Sequence, residues 1–128
     1  MNLLVPVSPG EMIDKITILE IKLEKLGDPA KLANVRIEHS LLSGVLADKI
    51  KPNDKVLDYK GQLKEVNLSL WEIEDSIRIC ERNRSFGEEF IALARAVYRT
   101  NDRRAEIKRD INVLLNSGIM EEKSYAAY

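Results

Sequence analysis

A single cysteine, Cys80, leaves no partner for an intrachain disulfide and no way to build a cysteine-based zinc site within one chain. It has no C-x-x-C context and reads as a packing residue. Four prolines and six glycines are few for 128 residues. They form no glycine-rich phosphate loop of either usual spacing. Strand-type alternation is missing. No stretch approaches the roughly 18 to 20 apolar residues of a membrane span. Met1 to Ser8 has too short an apolar stretch, and no basic region, for a signal peptide. An excess of charge is absent too: twenty basic residues face twenty-one acidic ones, net −1, so bulk nucleic-acid or acidic-membrane binding is not expected. A reducing, cytoplasmic setting and no cofactor are the simplest expectations.

What is present is a folding composition, 45% hydrophobic and 32% charged. One helical domain over residues 1–128 follows, with 119–128 as a tail that is either loose or packed back through Tyr125. Ser8-Pro9-Gly10-Glu11 combines an N-cap hydroxyl, a proline at the first helical position and a glutamate three residues on, a helix start. Met12, Ile16, Leu19, Leu23 and Leu26 then recur at helical spacing until Gly27. Asp28-Pro29 starts a second helix, which runs to about Ile50 because Pro52 disfavours helical geometry at Lys51. Asn53 or Asp54 caps a third, with a stripe of Val56, Tyr59, Leu63, Val66, Leu70, Ile73 and Ile77. Ser85-Phe86-Gly87-Glu88 offers a second capping box for a fourth, from Glu88 to about Asn116. The fold expected is all-α, an antiparallel four-helix bundle or two stacked helical hairpins, with helices three and four longer.

Polar residues intrude on the apolar faces. Helix four carries Asn101, Arg104 and Lys108 on the face of Phe90, Leu93, Val97, Ile111 and Leu115. Helix three places Glu74 beside its stripe, flanked by Asn67, Arg78 and Trp71, and helix one places Glu20 at its core margin. Buried charge must be paired, hydrated or used to hold a ligand. Two readings stand: a self-satisfied network that fixes helix register, and a small polar pocket for a carboxylate or phosphate ester, which the surplus of donors favours.

Other features carry blander readings. Glu11-x-x-Asp14 and Glu72-x-x-Asp75 match the carboxylate pairs by which all-α nucleotide pyrophosphohydrolases hold magnesium, but Glu11, Asp14 and Glu72 point away from their own stripes on the helical wheel. No metal site is therefore expected. His39 reads as a core-edge histidine without a catalytic partner. The arginines of helix four are interleaved with Asp102, Glu106 and Asp110 as a solvated ion-pair face. Ile18 and Ile21, with Ile37 and Leu41, suggest a second apolar surface that serves as a dimer interface or is wrapped by the long hairpin.

Val5-Pro6-Val7-Ser8-Pro9-Gly10-Glu11-Met12-Ile13-Asp14-Lys15 resembles the opening of an uncharacterised bacterial and phage family of small helical proteins, a domain of unknown function. So do Leu70-Trp71-Glu72-Ile73-Glu74-Asp75-Ser76-Ile77-Arg78 and Val97-Tyr98-Arg99-Thr100-Asn101-Asp102-Arg103-Arg104-Ala105. The resemblance runs through Glu121-Glu122-Lys123-Ser124-Tyr125 and implies membership but no activity.

The leading expectation is an interior site for a small anionic ligand, formed by Glu20, Asn67, Glu74, Arg78, Asn101, Arg104 and Lys108. Arg104, Lys108 and Arg78 would be donors, Asn101 and Asn67 orienting groups, and the two glutamates positioning groups. Any catalysis there would be electrostatic. The competing expectation is an adaptor or a homodimer that docks through apolar helix faces, with interior charges serving register alone.

Overall fold

The computed structural model describes all 128 residues and contains four helices: α1 (Pro9–Lys25), α2 (Pro29–Lys49), α3 (Asp54–Arg82) and α4 (Glu88–Leu114). The helix starts follow the expected chemistry. Ser8 Oγ accepts from Glu11 N, Asp28 from Ala30 N, and Asn53 from Lys55 N and Val56 N. The fourth start differs. Gly87 occupies the N-cap of α4 with no side-chain cap, so Ser85 does not form the expected box. Ser85 instead belongs to the end of α3: Arg84 adopts a left-handed conformation (φ 51°) and Ser85 N donates to Cys80 O at 2.9 Å. This is the reversed-turn C-terminal motif, and it has used the residues a serine cap would need. The same device ends α4, with Asn116 at φ 51° and Ser117 N bonded to Asn112 O.

α3 and α4 form a long hairpin, and α1 packs on both of its helices at the end away from the α3–α4 turn. α2 lies against α1 alone; none of its α-carbons comes within 8 Å of one in α3 or α4. The architecture is thus two stacked hairpins joined through α1. Sandwiched in this way, α1 is buried around most of its circumference, at Gly10, Ile13, Asp14, Ile16, Thr17, Leu19 and Ile21. Ile13 joins Val56, Leu63, Ile107 and Ile111 in the central apolar cluster, against which Leu46, Tyr59, Val66 and Leu115 pack. Ile21 is buried, whereas Ile37, Leu41 and Val45 remain an exposed stripe on α2. No helix is long and apolar enough to cross a membrane.

Beyond Asn67 and Arg104, where the polar contacts of α1 end, the hairpin continues as a two-helix arm in which only Cys80 is buried. The residues after α4 reverse direction and lie back along it: Glu121 reaches Asn112, Glu122 reaches Arg109, and Lys123 and Tyr128 both reach Asp102. The Tyr128 ring also packs on Tyr98, with centroids 5.1 Å apart. The tail is therefore packed back, but through these groups. Tyr125 is exposed, beside Lys123.

Candidate functional site

α1 meets the hairpin through polar groups as well as apolar ones. Asp14 is 1% exposed and is held in a forked pair by Arg104, whose Nε lies 2.9 Å from Oδ1 and whose Nη2 donates to Oδ2. Asn67 Nδ2 donates to the same Oδ1 at 2.8 Å and to Thr17 Oγ1 at 2.9 Å; Thr17 Oγ1 donates to Asp14 O. A buried carboxylate costs several kcal/mol in lost hydration, which a forked guanidinium and an amide offset. The Asp14 hydrogen bond, with the Asp14 and Glu11 charges, raises the Arg104 pKa above its ordinary value although burial opposes it.

One turn further, Lys108 Nζ pairs with Glu11. Gly10 lies so close to α4 that a Cβ there would sit 2.5 Å from Lys108 O and 2.9 Å from Asn112 Oδ1. Only glycine fits, and its N–H donates to that Oδ1 at 2.7 Å. Asn112 is 1% exposed, and its amide Nδ2 points the other way, to Glu121 Oε2 at 3.0 Å. Ser8 is also 1% exposed, and its hydroxyl donates to the other Glu121 oxygen while accepting from Glu11 N. Two buried donors thus hold the carboxylate of a residue on the exposed tail. Burial raises the Glu121 pKa, but the Ser8 hydroxyl, a backbone hydrogen bond, the Lys108 charge and Asn112 outweigh it and hold the carboxyl below its ordinary 4.5. A cavity of about 170 Å³ opens alongside, lined by Ala105, Lys108, Arg109, Asn112, Glu121, Glu122 and Lys123.

Of the seven residues expected to converge, Asn67, Arg104 and Lys108 do meet at α1. Asn101 is half-buried on α4, outside the hydrogen-bonded network. Glu20 belongs to a separate cluster, 2.8 Å from Lys60, 3.6 Å from Lys64 and 3.9 Å from His39. Glu74 and Arg78 are exposed on the arm and pair with each other one turn apart. They lie beyond the reach of α1, so the stripe they border has no third helix to turn it into an interior. The carboxylate acceptors at the centre are Asp14 and Glu11 instead. The helical wheel points Asp14 away from the core because the Met12–Ile16–Leu19 stripe records only one of the faces α1 buries. The two E-x-x-D pairs do not assemble: Asp14 and Glu11 are taken by Arg104 and Lys108, Glu72 and Asp75 are exposed, and no three metal-ligating side chains cluster.

Comparison with known families decides membership: the profile of a family of unknown function, DUF6165, matches residues 3–128. The chain belongs to DUF6165. No curated protein and no solved structure matches this DUF6165 chain.

Proposed function

We propose that this DUF6165 protein binds a small anion, a phosphate ester or carboxylate, where the N-terminus of α1 meets the C-terminal half of α4. The observation that carries this reading is the seating of the Glu121 carboxylate on buried Ser8 and Asn112 beside Lys108. A hydroxyl and an amide N–H bonded to one carboxylate, with an ammonium that is paired to Glu11 and acts on it through its charge, form a receptor for an oxyanion. The ends of the helices add to it, since Ser8 caps the positive end of the α1 dipole. Arg104 and Asn67 act one layer deeper by fixing Asp14, and so the position of α1, rather than by touching the ligand.

A thermal-shift screen of the whole chain against sugar phosphates, nucleotides and dicarboxylates tests the reading. One anion class should raise the Tm of the native chain and leave Lys108→Met unshifted. Equal shifts in both would refute it. Arg104→Met is unsuitable as the main variant, because it strands a buried carboxylate and confounds binding with folding.

The arm favours a second reading, self-association. Apart from Cys80 its apolar residues are at most half-buried, Ile79, Phe86 and Ile91 are exposed, and an open groove runs past Ile73 and Leu93. A two-helix arm has no third helix on either face, and two copies packed along one face would make a four-helix bundle. Sedimentation equilibrium of the native chain and Ile73→Lys tests this: a dimer that the substitution dissociates supports it, and a native monomer refutes it.

A further inference from the structure

The tail reaches its seat through contacts of a different character from those of the core. Glu121 is itself exposed, as are the other tail residues from Glu122 to Tyr128. Their bonds to Arg109 and Asp102 lie on the surface, where ion pairs contribute little each. The groups beneath are different: Ser8 and Asn112 are buried donors whose only partner for these protons is the tail carboxylate. Charge follows the same division. Arg104, Lys108 and Arg109 face the fixed carboxylates Asp14 and Glu11 together with the tail carboxylates Glu121 and Glu122, three cations against four anions, while the tail's own cation, Lys123 at the cavity rim, is neutralised by Asp102. With the tail lifted, the same three cations face two.

We infer that the tail, residues 119–128, is an internal competitor for the anion site: Glu121 occupies the seat that an external oxyanion takes, and ligand binding releases the tail. This rests on the reading of that site as an anion receptor. Glu121 supplies one acidic group and Glu122, on Arg109, a second, so the geometry suits a ligand with two anionic oxygens or groups, such as a phosphate monoester. The anchor at Asp102 lies outside the seat. It holds Lys123 Nζ and the Tyr128 hydroxyl, and these bonds lower the Asp102 pKa below 3.8. Freeing that anchor should open the seat without altering it. An apparent affinity is reduced by the fraction of molecules in the competent state. If a few surface contacts keep the open fraction on the order of a tenth, release should improve binding roughly tenfold.

The test is an NMR titration of the full ¹⁵N-labelled chain with inorganic phosphate, on the native protein, Asp102→Asn and Glu121→Gln. In the native chain, phosphate should shift the Gly10 amide and bring the amides of residues 121–128 toward unstructured positions in the same concentration range. Asp102→Asn should bind about tenfold more tightly, and so should Glu121→Gln. Phosphate binding at Gly10 with tail amides unmoved, or equal affinity in native and Asp102→Asn protein, would overturn the competitor role while leaving the anion site standing. Absence of phosphate binding in all three would overturn both.

Discussion

Arg104 and Asp14, ninety positions apart in sequence, form a forked ion pair in which the carboxylate is 1% and the guanidinium side chain 28% exposed. This pair ties the most buried helix to the long hairpin and sets which face of α1 meets Asn112 and Lys108. Removing either member strands the other. Arg104→Met and Asp14→Leu should each cost about 3 to 5 kcal/mol in urea unfolding, whereas the double substitution should recover most of that loss. Additive losses would mean the two groups act independently.

Gly10 should be as sensitive as any core residue. A methyl group there meets backbone and buried amide, neither the far end of a flexible chain. Gly10→Ala should therefore lower stability by roughly 1 to 3 kcal/mol through overpacking, and also weaken anion binding by displacing Ser8 and Asn112. A crystal structure or amide-exchange comparison would locate the displacement at the α1–α4 contact.

Arg84 offers the opposite sign. Its left-handed backbone at the end of α3 is one that glycine adopts without steric cost. Arg84→Gly should raise stability by up to about 1 kcal/mol if the strain relieved exceeds the entropy gained by the unfolded chain. The turn is far from the anion seat, so phosphate affinity should not change.

The tail should be docked over a defined pH range. Glu121 faces Lys108 on α4 with Ser8, Asn112 and the Glu11 carboxylate around it, and Asp102 faces Lys123 and Tyr128. Both carboxyls titrate below their ordinary values of 4.5 and 3.8, so their contribution is complete above those values and fades as pH falls through the lowered ones. The hydrogen bond to Asp102 raises the Tyr128 pKa above 10.0, so that contribution holds below about pH 10 and is lost as pH rises through the raised value. Protection of the tail amides, taken relative to the intrinsic exchange rate at each pH, should accordingly be greatest between these limits, and Asp102→Asn should remove the alkaline edge.

Much of the fold was legible because helix starts and stops are local chemistry. Ser8, Asp28 and Asn53 act as caps through hydroxyl, carboxylate and amide oxygens within three residues of each helix start. The fourth helix starts at Glu88 as expected, but its serine cap does not form, because Ser85 is taken up by the end of α3. The site was legible on α4, where Arg104 and Lys108 interrupt an apolar face. It was not on α1: a helix with one partner shows one stripe, but this one is enclosed by α2 and the hairpin. Its second face, Gly10, Ile13, Asp14 and Thr17, is half polar and leaves no apolar period to find. Asn112 and Glu121 were missed for a related reason, since their pairing depends on a tail reversal set by a left-handed residue, Asn116. Periodicity points Glu74 and Arg78 inward because it tells which residues share a face and not how far the covering helix extends.

The anion site is tested most directly by equilibrium titration of inorganic phosphate into Lys108→Met and Lys60→Met. The two remove the same charge, but Lys60 pairs with Glu20 in the separate cluster. Phosphate binding that is lost in Lys108→Met and unchanged in Lys60→Met is the predicted result; equal weakening in both, or binding that survives loss of Lys108, would contradict it.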